Sequence, residues 1–218
     1  MRTFSAHFIA VTEQELTTEE AVAVQEMHRR IFELPSEWAR HLEGSYFSCE
    51  QLLGPAGQPV WYLDHGSTTL ERSDHCNSLV VRWTLLESTT ALCGPDVRSL
   101  LHPVGADELR QEVRQMLLDW GRDILERPEN YANRFYQGLI LLTCCRVLHT
   151  METGCVHSKR ASTEWAKRRL PSQWHELIDR VWATRPDPAT SSRTPADGED
   201  FHSTLALLSL CLEKLRGV

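Results

Sequence analysis

The sequence has no run of about 18 apolar residues, the length a helix needs to cross a bilayer, so a helical membrane span is excluded and no membrane partner is expected. It has no CxxC pair. Its seven cysteines, at 49, 76, 93, 144, 145, 155 and 211, are an odd and scattered set. That argues against a zinc ribbon or a redox dithiol and predicts reduced thiols in a cytosolic compartment. A basic excess is missing too: 23 Lys+Arg stand against 30 Asp+Glu, a formal charge of −7. That sign is wrong for a phosphate-backbone ligand, so no nucleic-acid partner is expected. An acidic surface does suit a cationic small-molecule substrate through long-range attraction, although acidity that merely keeps a protein soluble is the ordinary alternative. The opening stretch MRTFSAHFIAV has one basic residue and an apolar segment too short for a secretory signal, which leads to the expectation of a cytoplasmic protein. A monomer is expected.

A chain of 218 residues can bury one large core or two small ones. Phe4–Val11 reads as a strand. Thr17-x-x-Glu20 is a capping box, and Val24, Met27 and Ile31 follow at helical spacing. Pro35 breaks that helix. The alternation from Trp38 to Ser48 predicts a strand with Glu43, Ser45 and Phe47 on one face. Gly54–Gly57 is a turn, and Pro59–Leu63 reads as a further strand. From about Asp107 the pattern turns helical, with Leu109, Val113, Met116, Trp120 and Ile124 forming one apolar stripe. Asn133–Thr153 is apolar nearly all round between Leu139 and Leu148, so this helix should be central, and Gly154 is placed to end it in the left-handed conformation. Ser158 caps a third helix that Pro171 stops. Ser172–Thr184 makes a fourth. Residues 185–199 read as a mobile linker, and a final helix carries Phe201, Leu205, Leu208, Leu212 and Leu215. A small sheet-containing unit followed by a five-helix bundle is the architecture this implies.

Few residues invite chemistry. Arg146 interrupts an otherwise apolar helix, and a buried guanidinium must meet an anion. A carboxylate such as Glu152 would serve, and so would a ligand phosphate gripped bidentately. His157-Ser158-Lys159-Arg160 opens the next helix, where free backbone N–H groups and cations together favour anions, although solvated lysine and arginine near a cap are commonplace. Glu43 lies inside a strand, which disfavours glutamate. It belongs either to a wet strand face or to a general base that deprotonates a hydroxyl. Asp64-His65 and Asp74-His75-Cys76 have metal-ligand residue types without paired spacing. They read as loop residues, and no metal ligand is assigned.

The run Arg146-Val147-Leu148-His149-Thr150-Met151-Glu152-Thr153-Gly154, followed by Ser158-Lys159, Trp165-Ala166 and Leu170-Pro171, carries a resemblance. So do Ala91-Leu92-Cys93-Gly94-Pro95, Leu100 and Pro103-Val104 upstream. In this order and spacing the chain resembles the streptomycin/spectinomycin (aminoglycoside) adenylyltransferases, well over residues 78–218 and loosely over 4–50. The resemblance implies an α+β protein: an incomplete nucleotidyltransferase-type α/β domain over 1–90, then an α-helical domain over 91–218. It also implies transfer of AMP from ATP to a hydroxyl of an aminocyclitol or aminoglycoside antibiotic in a cleft between the domains, with ATP and Mg²⁺ as cofactors. By resemblance Glu43 falls at the catalytic base, and Arg146 and Lys159 at positions that contact ATP phosphates. The family holds Mg²⁺ through two aspartates of an SDxD motif that follows a GS loop. Here Ser5 and His7 stand at the aspartate positions and no GS loop precedes them. The expectation is therefore a truncated or degenerate first domain, with adenylyl transfer impaired by at least about a thousandfold. The alternative is a catalytically silent module that binds a nucleotide or a partner.

Overall fold

The computed structural model describes residues 6–184 and 194–217. It divides into two compact units, Met1–Val104 and Gly105–Val218. The sequence reading places the boundary at 90/91; the segment between stays with the first unit, where Leu100 and Leu101 join an apolar cluster.

The first unit is built on a four-stranded sheet in chain order: β1 (Ala6–Thr12), β2 (Leu42–Ser48), β3 (Val60–Leu63) and β4 (Leu70–Ser73). β1 and β2 pair in parallel across the helix α1 (Thr18–Phe32), and the remaining pairs are antiparallel. Period-two alternation gives each face its own cover. Ile9, Val11, Phe47 and Val60 point to one side, against Leu85, Leu86 and Leu101. Phe8, Leu42, Tyr46 and Leu63 point to the other, against Ala21 and Val24 of α1. The Thr17–Glu20 capping box forms as expected. The stripe behind it differs, because Met27 is exposed while His28 is buried on the sheet, bonded through Nε2 to the Tyr46 hydroxyl at 2.6 Å. The expected strand from Trp38 starts later. Trp38–His41 is a 3-10 turn and only Leu42–Ser48 is extended. Three elements were not expected from the sequence: α2 (Cys49–Leu53), β4, and α3 (Leu79–Ser88), which Ser78 caps by accepting from the Val81 N–H. Phe4 and Ser5 lie outside the described residues.

Burial lowers the His28 pKa below its ordinary value. A neutral native imidazole and a protonatable unfolded one mean that stability falls as pH drops below about 6.5, where the unfolded histidine takes up its proton. Thermal unfolding between pH 7 and pH 5 should therefore show a falling Tm, with a shallower slope in His28→Phe. An unchanged slope in that variant would remove His28 as the cause.

The second unit contains α4 (Ala106–Glu126), α5 (Arg134–Thr153), α6 (Lys159–Arg169), α7 (His175–Ala183) and α8 (Gly198–Arg216). As the all-round apolar pattern of Leu139–Leu148 leads one to expect, α5 is central and packs against the other four. Asn133 caps it through the Tyr136 N–H, and Gly154 closes it at φ 68°. On α4 the buried stripe runs Leu109, Val113, Leu117, Gly121, Ile124 rather than through Met116, which is exposed. Gly121 is the reason. Without a side chain it admits Leu208 and Leu212 of α8, and this turns the helix by one position. Of the linker expected over 185–199, residues 185–193 lie outside the described residues. The remainder is structured: Thr194–Ala196 pairs back on Ala132–Arg134, and Asp197 caps α8. No described helix is long and apolar enough to cross a membrane.

Candidate functional site

The polar end of the sheet carries the densest set of reactive side chains among the described residues. Glu43, the second residue of β2, lies opposite His7 of β1, on the same face as Ser45, Phe47 and, on β3, Tyr62. Its carboxylate is largely buried, with 13% side-chain exposure. One oxygen, Oε1, accepts from the Tyr62 hydroxyl at 2.9 Å and lies 3.7 Å from His75 Nε2. The other, Oε2, faces His7 Nδ1 at 3.6 Å and His65 Nδ1 at 3.9 Å. His65 Nε2 in turn meets His41 Nδ1 at 3.0 Å. Tyr62 also reaches Asp64 Oδ1 at 2.9 Å. A phenol has one hydrogen to give, so it satisfies one carboxylate at a time. Burial raises its pKa first, and both carboxylates add to the rise. The phenol thus remains a donor.

Cys76 completes the group. Burial pushes its thiol up to about 11; the Ser45 hydroxyl beside it pulls the other way, while Glu43 and Asp64 reinforce the rise. The loop that carries His75 and Cys76 is anchored by Asn77, which is fully buried. Asn77 donates to the Gln58 carbonyl at 2.9 Å and accepts from the Arg82 guanidinium at 2.9 Å. Arg82 also bonds the carbonyls of Gly54 and Gln51, at 2.6 and 3.1 Å. The fold thereby brings together Glu43 and the two segments, Asp64-His65 and His75-Cys76, that read as unrelated loops. Their meeting depends on the β2–β3–β4 register, which no local spacing announces.

Mg²⁺ prefers a near-octahedral shell of oxygens. Beside the carboxylates of Glu43 and Asp64, the side chains collected here are imidazoles and a thiol, with His7 directly opposite on β1. A set in which nitrogen and sulfur donors crowd the carboxylates does not fit the all-oxygen shell of Mg²⁺.

Arg146 and Lys159 belong to the helical unit. Arg146 is half-buried on α5, and burial lowers its pKa. It has no ion pair or side-chain hydrogen bond among the described residues. Glu152, the internal carboxylate considered for it, instead binds Arg169 at 2.9 Å. Three residues on, hence on the same helix face, His149 is buried and packs edge-on against His157 and Trp165, with centroids at 4.6 and 5.2 Å. Burial, and then the charge of His157, lowers the His149 pKa. Lys159 is the first, exposed residue of α6, just after the Ser158 cap. The Arg146 face of α5 is thus directed to the segment that leads into Lys159.

Comparison with known proteins adds three findings. Residues 99–198 match the family model of the aminoglycoside adenylyltransferase C-terminal domain. Over 92 residues the chain is 28% identical to the aminoglycoside (3'') (9) adenylyltransferases of Klebsiella pneumoniae and Escherichia coli. That stretch is 42% of this chain and 32% of each relative, so the match spans about a third of their length. In three dimensions the chain is similar to the crystal structure of spectinomycin adenyltransferase from Enterococcus faecialis with ATP and spectinomycin. The TM-score is 0.66 at 12% identity, covering 97% of this chain and 85% of that one, a likeness of fold.

Proposed function

We propose that the chain, whose helical unit matches the aminoglycoside adenylyltransferase C-terminal domain, is a nucleotidyltransferase-like protein of antibiotic modification. The family reaction moves AMP from ATP to a hydroxyl of an aminocyclitol or aminoglycoside. The observation that carries this reading is Arg146, a half-buried guanidinium with no carboxylate partner among the described residues. An uncompensated buried cation is costly, and a nucleotide phosphate, with Lys159 beside the same segment, is the anion that would relieve it. Glu43 is the base in this reading, since it is shielded from solvent and bonded to a phenol. The charge of −7 suits a cationic acceptor. The protein acts as a cytoplasmic monomer on small molecules.

Arg146→Ala should weaken ATP binding by about 1–3 kcal/mol, roughly 5- to 150-fold in Kd. Isothermal titration of wild type and variant measures this directly, and an unchanged Kd sinks the phosphate role.

The second reading, a module that binds nucleotide without transferring it, is favoured by the donors around Glu43. Adenylyl transfer relies on metal-borne charge neutralisation, and this set does not fit Mg²⁺. We expect the purified chain, incubated with ATP, Mg²⁺ and streptomycin or spectinomycin, to yield at most traces of AMP-modified drug by mass spectrometry. Turnover near about one per second would overturn that expectation and leave the first reading standing.

A further inference from the structure

We propose that Glu43, His75 and Cys76 form a binding site for Zn²⁺. One oxygen, one nitrogen and one sulfur from these residues lie within 4.8 Å of one another. Around a tetrahedral zinc with bonds of about 2.0–2.3 Å, neighbouring donors stand about 3.5 Å apart. His75 Nε2 already stands 3.7 Å from Glu43 Oε1, and its side chain, 65% exposed, has room to adjust toward the Cys76 sulfur. Cys76 and Glu43 are held more firmly, Cys76 by the Asn77–Arg82 anchor beside it and Glu43 by the sheet.

Three further observations favour an ion here. Tyr62 has one hydrogen for two carboxylates, so it can turn to Asp64 and leave Glu43 Oε1 to a metal without losing its own hydrogen bond. Oε2 of Glu43 faces two more imidazoles, His7 and His65, so a fourth donor or a water can complete the shell. A mixed N/S/O set selects Zn²⁺ over the hard, oxygen-seeking Mg²⁺. On binding, the Cys76 thiol proton passes to solvent and the thiolate stays on the metal. The site needs neither ATP nor an acceptor to form, so its test is separate from adenylyl transfer; with zinc bound, the Glu43 carboxylate is committed to the metal rather than acting as a base.

The test uses Co²⁺ as a spectroscopic stand-in on the purified, metal-free chain. A thiolate-to-cobalt charge-transfer band should rise and saturate at a single ion per chain. Zn²⁺ should abolish it stoichiometrically, and Mg²⁺ in about thousandfold excess should not. Cys76→Ser should lose the band, and Cys93→Ser, at an exposed thiol, should keep it. His75→Ala and Glu43→Gln should each weaken Co²⁺ binding by more than about 100-fold, beyond what loss of an outer partner costs. Should a variant fail to fold, the wild-type chain still answers: Zn²⁺ should protect Cys76, and not Cys93, from alkylation followed by mass spectrometry. Absence of the charge-transfer band, its persistence in Cys76→Ser, displacement by Mg²⁺, or equal alkylation of Cys76 with and without Zn²⁺ would each overturn the site.

Discussion

Gly44→Ala should lower the unfolding free energy by at least about 3 kcal/mol, the top of the usual range for overpacking. Gly44 sits mid-strand in β2, paired with Phe8 of β1. A Cβ there would press against the Phe8 carbonyl oxygen and stand 2.6 Å from the Phe8 ring. The ring could turn away, at the expense of its stack on His28 and its edge contact with Tyr46. The carbonyl cannot, because it belongs to the β1–β2 ladder. Urea denaturation should show the loss in the midpoint with little change in slope. Adding Phe8→Leu to Gly44→Ala should recover only a minor part, since the carbonyl contact remains. Full recovery by that second change would locate the obstruction in the ring alone. The adjacent residues are Glu43 and Ser45, so a sheet that opens here also displaces the carboxylate that the imidazoles and Tyr62 surround.

The second large effect is expected at Arg82. Arg82→Met keeps the apolar stem but strands the Asn77 side-chain oxygen and the Gly54 and Gln51 carbonyls, all bonded by the guanidinium. An orphaned buried acceptor costs about 1–3 kcal/mol; with Asn77 fully buried and the two carbonyls part-buried, the total loss comes to about 3 kcal/mol. Arg82→Lys should rescue little, because one ammonium cannot reproduce a planar fork spanning three acceptors. Calorimetry or urea titration measures both. A loss under about 1 kcal/mol in Arg82→Met would show that water takes over these carbonyls. Because Asn77 adjoins Cys76, the variant should also loosen the His75–Cys76 loop, readable as faster alkylation of Cys76.

The helical unit was legible because its boundaries carry chemistry of their own. Asn133, Gly154, Ser158 and Pro171 each act within one turn, so their effect survives in any tertiary setting. The face that α4 buries was less legible. Met116 and Trp120 fit the periodicity as well as Leu117 and Gly121 do, and only the approach of α8 onto Gly121 decides between them. In the sheet unit, α2, β4 and α3 are too short for a period to show above its noise. Glu43 stood out alone because a glutamate inside a strand is conspicuous. Its company did not, since His65, His75 and Cys76 reach it through strand register, a relation between segments rather than within one. Arg146 was conspicuous for the same reason as Glu43, while the engagement of Glu152 by Arg169 arises from α5 and α6 lying side by side.

The closure of α4 around α8 has a consequence for the order in which the protein is made. Leu207, Leu208, Leu212 and Leu215 of α8 are all buried, and the Leu215 carbonyl accepts from Arg114 Nε across 101 positions of chain. The helix that α4 needs is therefore translated long after α4 itself. During synthesis α4 and α5 leave the ribosome with their apolar faces bare, and the domain cannot lock until α8 follows. The sheet unit has its partners close at hand in sequence and can fold while the rest is still emerging. A nascent chain halted before residue 198 should thus present a finished first unit and a sticky, protease-sensitive second one, which makes the helical half the natural client of chaperones.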